Sequence, residues 1–233
     1  MASHHSGKPV IISIAASDPT NLRDMLRDIQ LLRAKLQDRQ APCKIAVEFN
    51  LSCPNIADSA PLGYMHDSIL PFAVVMRAAN KDDPTLTIGC KMPPYVHQAQ
   101  FTNFLQMLSY LVIDANGEKR CPVSFLTSTN TLGNSLLFSS SATDRFALPT
   151  PLGGLAGESI HALSLGNVFT FKRLISSQTY VDKGLGDLKV IGVGGVTSKA
   201  AVERMREAGA DAVGCATLFG KEGVQAFEIL STE

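Results

Sequence analysis

At 233 residues the chain has the length of one large domain or two small ones. It is 45% hydrophobic and 18% charged, enough apolar material for a sizeable core. Its 21 basic and 21 acidic residues cancel, which gives no electrostatic ground for nucleic acid or an anionic membrane as partner.

Taken in order, residues 1–8 form a polar tail that is set outside the fold, which is read as a single domain over 9–233. Pro9 to Ala16 is an apolar, β-branched run and reads as a buried strand. Asp18-Pro19-Thr20 then opens a helix carrying Leu22, Met25, Leu26, Ile29, Leu32 and Leu36 at helical spacing. Ile45 to Phe49 is a second strand. It feeds a loop, Asn50-Leu51-Ser52-Cys53-Pro54-Asn55, in which a thiol sits among amides and a proline stiffens the turn. A helix follows over about Ser68 to Asn80, then a strand from Leu86 to Met92 and the rigid Pro93-Pro94-Tyr95 turn.

The pattern continues with a helix over Ala99 to Ile113, a strand over Val123 to Thr127 and the Asn130-Thr131 loop. Leu136 to Gly154, rich in Ser, Thr and Pro, reads as an excursion. A long helix is expected over Ser159 to Tyr180, a strand over Val190 to Val193, and a helix from Ser198 to Ala208. A last strand, Asp211 to Cys215, precedes a final helix through Val224 to Leu230. The longest apolar runs are strand-length, so no membrane span is expected. The five cysteines are scattered and form no CxxC pair, which points to a reducing, cytoplasmic setting without disulfides or zinc.

Six strands each followed by a helix imply parallel pairing, in an open doubly wound sheet or in part of a (β/α)8 TIM barrel. Gly194-Gly195 and Ala216-Thr217 both lie between a short strand and a helix, where backbone N–H groups can face an anion. A phosphate site shared by the last two strand loops favours the barrel. Counting back from those loops makes Val10 the start of a third strand, so the expected fold is a TIM barrel lacking its first two βα units. Such a sheet would leave the edges of its first and last strands unpaired.

Barrel chemistry collects at the C-terminal ends of strands. There the chain places Cys53 with Asn50 and Asn55, then Lys91, then Asn130 and Thr131, then the glycine turns. A thiol base, a cation, amides and a phosphate clamp suit a phosphorylated redox cofactor with a small polar substrate.

The stretches Glu48-Phe49-Asn50-Leu51-Ser52-Cys53-Pro54-Asn55, Cys90-Lys91-Met92-Pro93-Pro94-Tyr95, Gly153-Gly154-Leu155-Ala156-Gly157 and Gly192-Val193-Gly194-Gly195-Val196 resemble dihydroorotate dehydrogenase. The cysteine resembles the class 1 enzymes, and the KMPPY stretch looks like the fumarate-using class 1A. Dihydropyrimidine dehydrogenase has a related segment, with His where Asn55 stands.

The resemblance implies FMN as cofactor, dihydroorotate and orotate as substrate and product, fumarate as acceptor and a cytoplasmic homodimer. It implies Cys53 as the base for the C5 proton. Asn50, Lys91, Asn130, Gly157, Gly194, Gly195, Ala216 and Thr217 would hold FMN, and Asn50, Asn55, Asn130 and Thr131 would hold orotate. Ala216 stands where the family usually has glycine, and His161 where relatives often carry lysine; His161 receives no role. The family's first two strand loops, with an Ala-Ser pair, a lysine and an Asn-Ser-Met-Gly stretch, are not in this chain. Two alternatives stay open: an inactive or partner-dependent barrel fragment, and another phosphate- or FMN-binding barrel protein.

Overall fold

The structure is a computed structural model and describes residues 8–40, 42–52, 61–115, 117–139, 145–147 and 149–231. Strand β1 (Val10–Ile14) leads into helix α1 (Pro19–Lys35). The Asp18 carboxylate accepts hydrogen bonds from the Thr20 and Asn21 amides, both at 2.9 Å, and Pro19 occupies a first-turn position where its missing N–H is no loss. Next come β2 (Ile45–Asn50), α2 (His66–Asp82), β3 (Ile88–Met92) and α3 (Gln98–Leu111).

A short antiparallel hairpin, β4 (Ile113–Ala115) and β5 (Glu118–Arg120), precedes β6 (Phe125–Ser128). A second pair of antiparallel strands, β7 (Leu132–Leu136) with β8 (Leu152–Leu155), brackets the expected excursion. The long helix expected up to Tyr180 is instead a 3-10 turn over Gly157–Ile160, α4 (His161–Ile175) and the short α5 (Gln178–Val181). The break falls at Ser176-Ser177, residues whose hydroxyls compete for backbone groups; Ser177 Oγ donates to the Leu174 carbonyl at 2.6 Å. β9 (Lys189–Val193), α6 (Lys199–Glu207), β10 (Ala212–Gly214), α7 (Thr217–Glu222) and α8 (Gln225–Leu230) complete the chain.

Six parallel strands form one sheet in the order β1-β2-β3-β6-β9-β10. The spatial order is the chain order, with no reversal. A doubly wound sheet reverses at a switch point, so this is the singly wound order of a partial (β/α)8 barrel. The hairpins stand outside that sheet.

The chain divides into two compact units. The first comprises Met1–Met92, His97–Leu126 and Leu174–Lys189. In it, β2 is buried on both faces, as a parallel strand covered by helices must be. Phe49 turns to α2 and stacks on Phe72, with ring centroids 5.4 Å apart. By strand alternation Ala46, Glu48 and Asn50 face the opposite side. Gly89 lies on that side too, and only its lack of a side chain admits the Phe125 ring: an added Cβ would sit 2.2 Å from it.

The second unit comprises Pro93–Val96, Thr127–Arg173 and Val190–Glu233. There the Asn167 side chain, buried on α4, closes the Pro93-Pro94-Tyr95 turn. Its oxygen accepts from the Tyr95 amide at 2.8 Å and its nitrogen donates to the Tyr95 carbonyl at 2.9 Å. Gly192 faces α6, where a Cβ would press on Met205 and Ala210.

β1 and β10 are the ends of the sheet, as expected. The consequence is visible at β1, where Val10 is 60% and Ile11 44% exposed. No helix among the described residues is long and apolar enough to cross a membrane.

Candidate functional site

In the first unit the chemistry-bearing residues stand at the C-terminal ends of β2 and β3. Asn50 and Lys91 are register partners, and the Leu51 amide donates to the Lys91 carbonyl at 3.0 Å. Lys91 is half-buried and shares its face with Glu48 and Asn50, while Cys90 is buried on the other face. Asn50 Oδ1 accepts from the Ser52 amide at 3.0 Å, which turns the chain out of the strand. Glu48, 7% exposed, accepts a hydrogen bond from Ser13 Oγ at 2.8 Å. Cys53 and Asn55 lie outside the described residues.

Burial pushes the Cys90 thiol well above the ordinary thiol range, helped by nearby Cys121 and Glu48. Burial likewise raises Cys121 to about 12, against weaker lowering by the Val123 amide and Arg120. Neither is a thiolate at neutral pH, so both are packing residues.

In the second unit the glycine turns come together. Gly157, Gly194 and Gly195 have φ of +68°, +125° and +67°, a region that side chains disfavour. An added Cβ on Gly195 would lie 2.9 Å from the Gly157 carbonyl and 2.5 Å from His161 Cβ; one on Gly194 would lie 2.0 Å from Ser164 Oγ. One on Gly157 would lie 3.7 Å from the Thr217 methyl, at the start of α7. The Gly157 and Gly194-Gly195 turns thus approach one another closely, with the start of α7 beside Gly157, and glycine turns ahead of helices are the kind of backbone cradle that can face a phosphate. Ala216, at φ −123°, needs no glycine.

Asn130 and Thr131 stand where β6 passes into β7; Asn130 Oδ1 accepts from the Thr131 amide at 2.8 Å. Thr131 packs on Gly154 of β8, where a Cβ would meet its Oγ1 at 2.2 Å.

Residues without a motif complete the second unit's cradle. Thr129 and Ser164 share a buried hydrogen bond of 2.9 Å, and the Thr129 amide donates to the Val193 carbonyl at 2.8 Å. His161 Nδ1 lies 2.9 Å from the Gly194 carbonyl, and Arg204 Nε lies 3.1 Å from His161 Nε2. The signal for them was the spacing: His161 and Ser164 are one turn apart on the helix that Gly157 introduces, so both project to one side. Among the described residues, Ser52 Oγ, Thr127 Oγ1 and Ser128 Oγ are buried without a hydrogen-bond partner. Ser52 belongs to the first unit, and Thr127 and Ser128, on opposite faces of β6, to the second.

A sequence model described as dihydroorotate dehydrogenase matches residues 3–233. The probable dihydroorotate dehydrogenase A (fumarate) of Enterococcus faecalis is 28% identical over 189 residues, covering 80% of this chain and 53% of that protein. The dihydroorotate dehydrogenase (fumarate) of Saccharomyces cerevisiae is 29% identical over 208 residues, covering 88% and 58%. A crystal structure of DHODH from Eimeria tenella in complex with ferulenol superposes with a TM-score of 0.61 at 16% identity, covering 91% of this chain and 52% of that one. That likeness concerns the fold. The chain spans between half and two thirds of the length of these relatives.

Proposed function

The chain belongs to the dihydroorotate dehydrogenase family, and we propose that it binds FMN and oxidises dihydroorotate to orotate in pyrimidine synthesis, with fumarate as the final acceptor. The observation that carries this reading is the meeting of the Gly157 and Gly194-Gly195 turns beside Thr217, where crowding leaves no room for a side chain at Gly194 or Gly195. Each unit by itself offers a feature that suits the group: the glycine turns of the second suit a phosphate, and in the first the half-buried cation Lys91 stands in register with Asn50.

When bound, FMN supplies the acceptor for the hydride that leaves C6 of the substrate, at flavin N5. The chain's own part is acid–base and electrostatic. Cys53 takes the C5 proton as the C5–C6 double bond forms, which suits a thiol because its pKa lies near enough to neutral to accept and return a proton. Lys91 offers its ammonium to the electron-rich N1–C2 edge of the ring. Asn50, Asn55, Asn130 and Thr131 orient the flat, polar substrate through amide and hydroxyl hydrogen bonds. Ala216 and Thr217 add backbone and hydroxyl donors at the phosphate. A homodimer in the cytoplasm is part of the same proposal.

The test is anaerobic. Protein loaded with FMN is mixed with dihydroorotate, and the oxidised flavin band should bleach and return on adding fumarate. A band that dihydroorotate leaves unchanged overturns the enzymatic reading. A second reading, a barrel fragment that works only against a partner chain, is favoured by one observation, the exposure of Val10 and Ile11 at the sheet's end.

A further inference from the structure

We infer that His161 is a positioning residue for the phosphate cradle and that Arg204 sets its tautomer. The Gly194 carbonyl can only accept, so the 2.9 Å contact requires a proton on His161 Nδ1. The Arg204 guanidinium can only donate, so its 3.1 Å contact requires a bare Nε2. Both demands are met by one species, the neutral imidazole carrying its proton on Nδ1. Arg204 reaches it from α6, the helix that follows the Gly194-Gly195 turn, and His161 begins α4, the helix that follows the Gly157 turn. The pair therefore ties together the helices behind two of the cradle's turns.

The turn needs such a tie. Gly194 and Gly195 hold φ of +125° and +67°, conformations that glycine visits among many others, so nothing intrinsic keeps the peptide between them oriented. Fixing the Gly194 carbonyl on His161 fixes that peptide plane. Because the plane is rigid, the Gly195 N–H is aimed in the opposite direction from the carbonyl. The carbonyl points at the imidazole, so the N–H points away from it and is held ready to donate. His161 Cβ also backs the Gly195 Cα, leaving the turn no room to shift that way. If Nε2 carried the proton instead, the Gly194 carbonyl would face a lone pair and the plane would be released. Other groups close by do not compete for the ring nitrogens: Glu158 accepts from Thr197 Oγ1 at 2.7 Å and Ser164 is engaged with Thr129.

The ligand in this inference, FMN or its phosphate, rests on the function proposed above; the tautomer does not. The test reads the two separately. The histidine ring is labelled with nitrogen-15, and His161 is assigned by the signal lost in His161→Gln. Spectra are taken near pH 8.5, about two units above the ordinary imidazole pKa. The expected wild-type signature is a protonated Nδ1 and a bare Nε2. Arg204→Met, which removes the donor from an exposed helix face, should give a mixture of tautomers and bind FMN about tenfold more weakly. Arg204→Lys, which keeps a donor, should restore both. Arg204→Gln separates donor from charge: wherever it retains the Nδ1 proton, affinity should stay near wild type.

A wild-type ring protonated on Nε2 overturns the inference. So does an affinity that falls while the tautomer holds, or holds while the tautomer is lost. Wild-type protein that binds no FMN overturns the flavin reading alone, and the spectra of the wild type and Arg204→Met then decide this inference.

Discussion

At Gly195 the backbone and the packing make the same demand. Its φ of +67° disfavours a side chain, and a Cβ there would press on His161 Cβ and the Gly157 carbonyl. Gly195→Ala should therefore cost about 1–3 kcal/mol in denaturant melts and abolish FMN binding, whereas a variant that still binds would show that the cradle is not the phosphate site. Lys91→Met should keep FMN but slow its reduction by dihydroorotate about a hundredfold, read by stopped-flow absorbance. Cys53→Ser should lower turnover by about 10²–10⁴ while the protein stays yellow. By contrast Cys90, 1% exposed and held protonated by burial, should resist alkylation in the native state and react only on unfolding. The glycine turns and the Asn50–Lys91 pair were legible in the sequence because motif and strand end coincide there. Spacing places His161 on the same side of α4 as Ser164, but its contact with Arg204 joins two helices and no local pattern encodes it.

Helix α1 shows what an element needs beyond its own periodicity. Arg33 is fully buried near its C-terminus and every guanidinium nitrogen is used. Nη1 donates to Gln30 Oε1 and Asp83 Oδ2, both at 2.8 Å; Nη2 donates to the Asp38 carbonyl at 2.9 Å and Thr85 Oγ1 at 3.0 Å; Nε approaches Asp38 Oδ2 at 3.4 Å. Asp38 in turn accepts from the Lys44 and Ile45 amides at 2.7 and 2.9 Å, which fixes where β2 begins. Arg33→Met should cost about 3–5 kcal/mol, because it leaves the buried Asp38 carboxylate without its cation. Burial alone would raise the Asp38 and Asp83 pKa values, but hydrogen bonds and Arg33 outweigh it and hold both below the ordinary carboxylate value. Their contribution is thus complete above the unfolded pKa of about 4 and is lost as pH falls below it. Urea melts of wild type should weaken steeply below that pH, and those of Arg33→Met less so. The periodicity of α1 and its Asp18 start were readable from sequence, yet nothing in that pattern marks Arg33 as buried. The β4–β5 and β7–β8 hairpins escaped for a different reason. Their strands are short and largely exposed, so no alternation of apolar and polar residues marks them.

For the whole molecule, the order of strands was the most legible feature, since six strand–helix repeats admit few parallel sheets and the late glycine loops chose between them. The sheet's ends were legible too, from the count of units before the phosphate loops. Among the described residues Val10 and Ile11 are exposed apolar residues at the end of the sheet, and burying each fully would contribute about 1.5–3 kcal/mol. The Val10 amide already donates to the Lys44 carbonyl of the neighbouring chain segment, so a partner strand on β1 should protect the outward amides of Ile11 and Ser13 from hydrogen exchange and quench the binding of an apolar dye; without one those two exchange early.

The most direct measurement is the visible absorbance spectrum of the purified chain, before and after adding FMN. The cradle and Lys91 predict yellow protein, or colourless protein whose added FMN shifts its band and saturates at one flavin per chain. A spectrum that remains the sum of free FMN and colourless protein at every concentration would contradict the assignment of this chain as a flavoprotein.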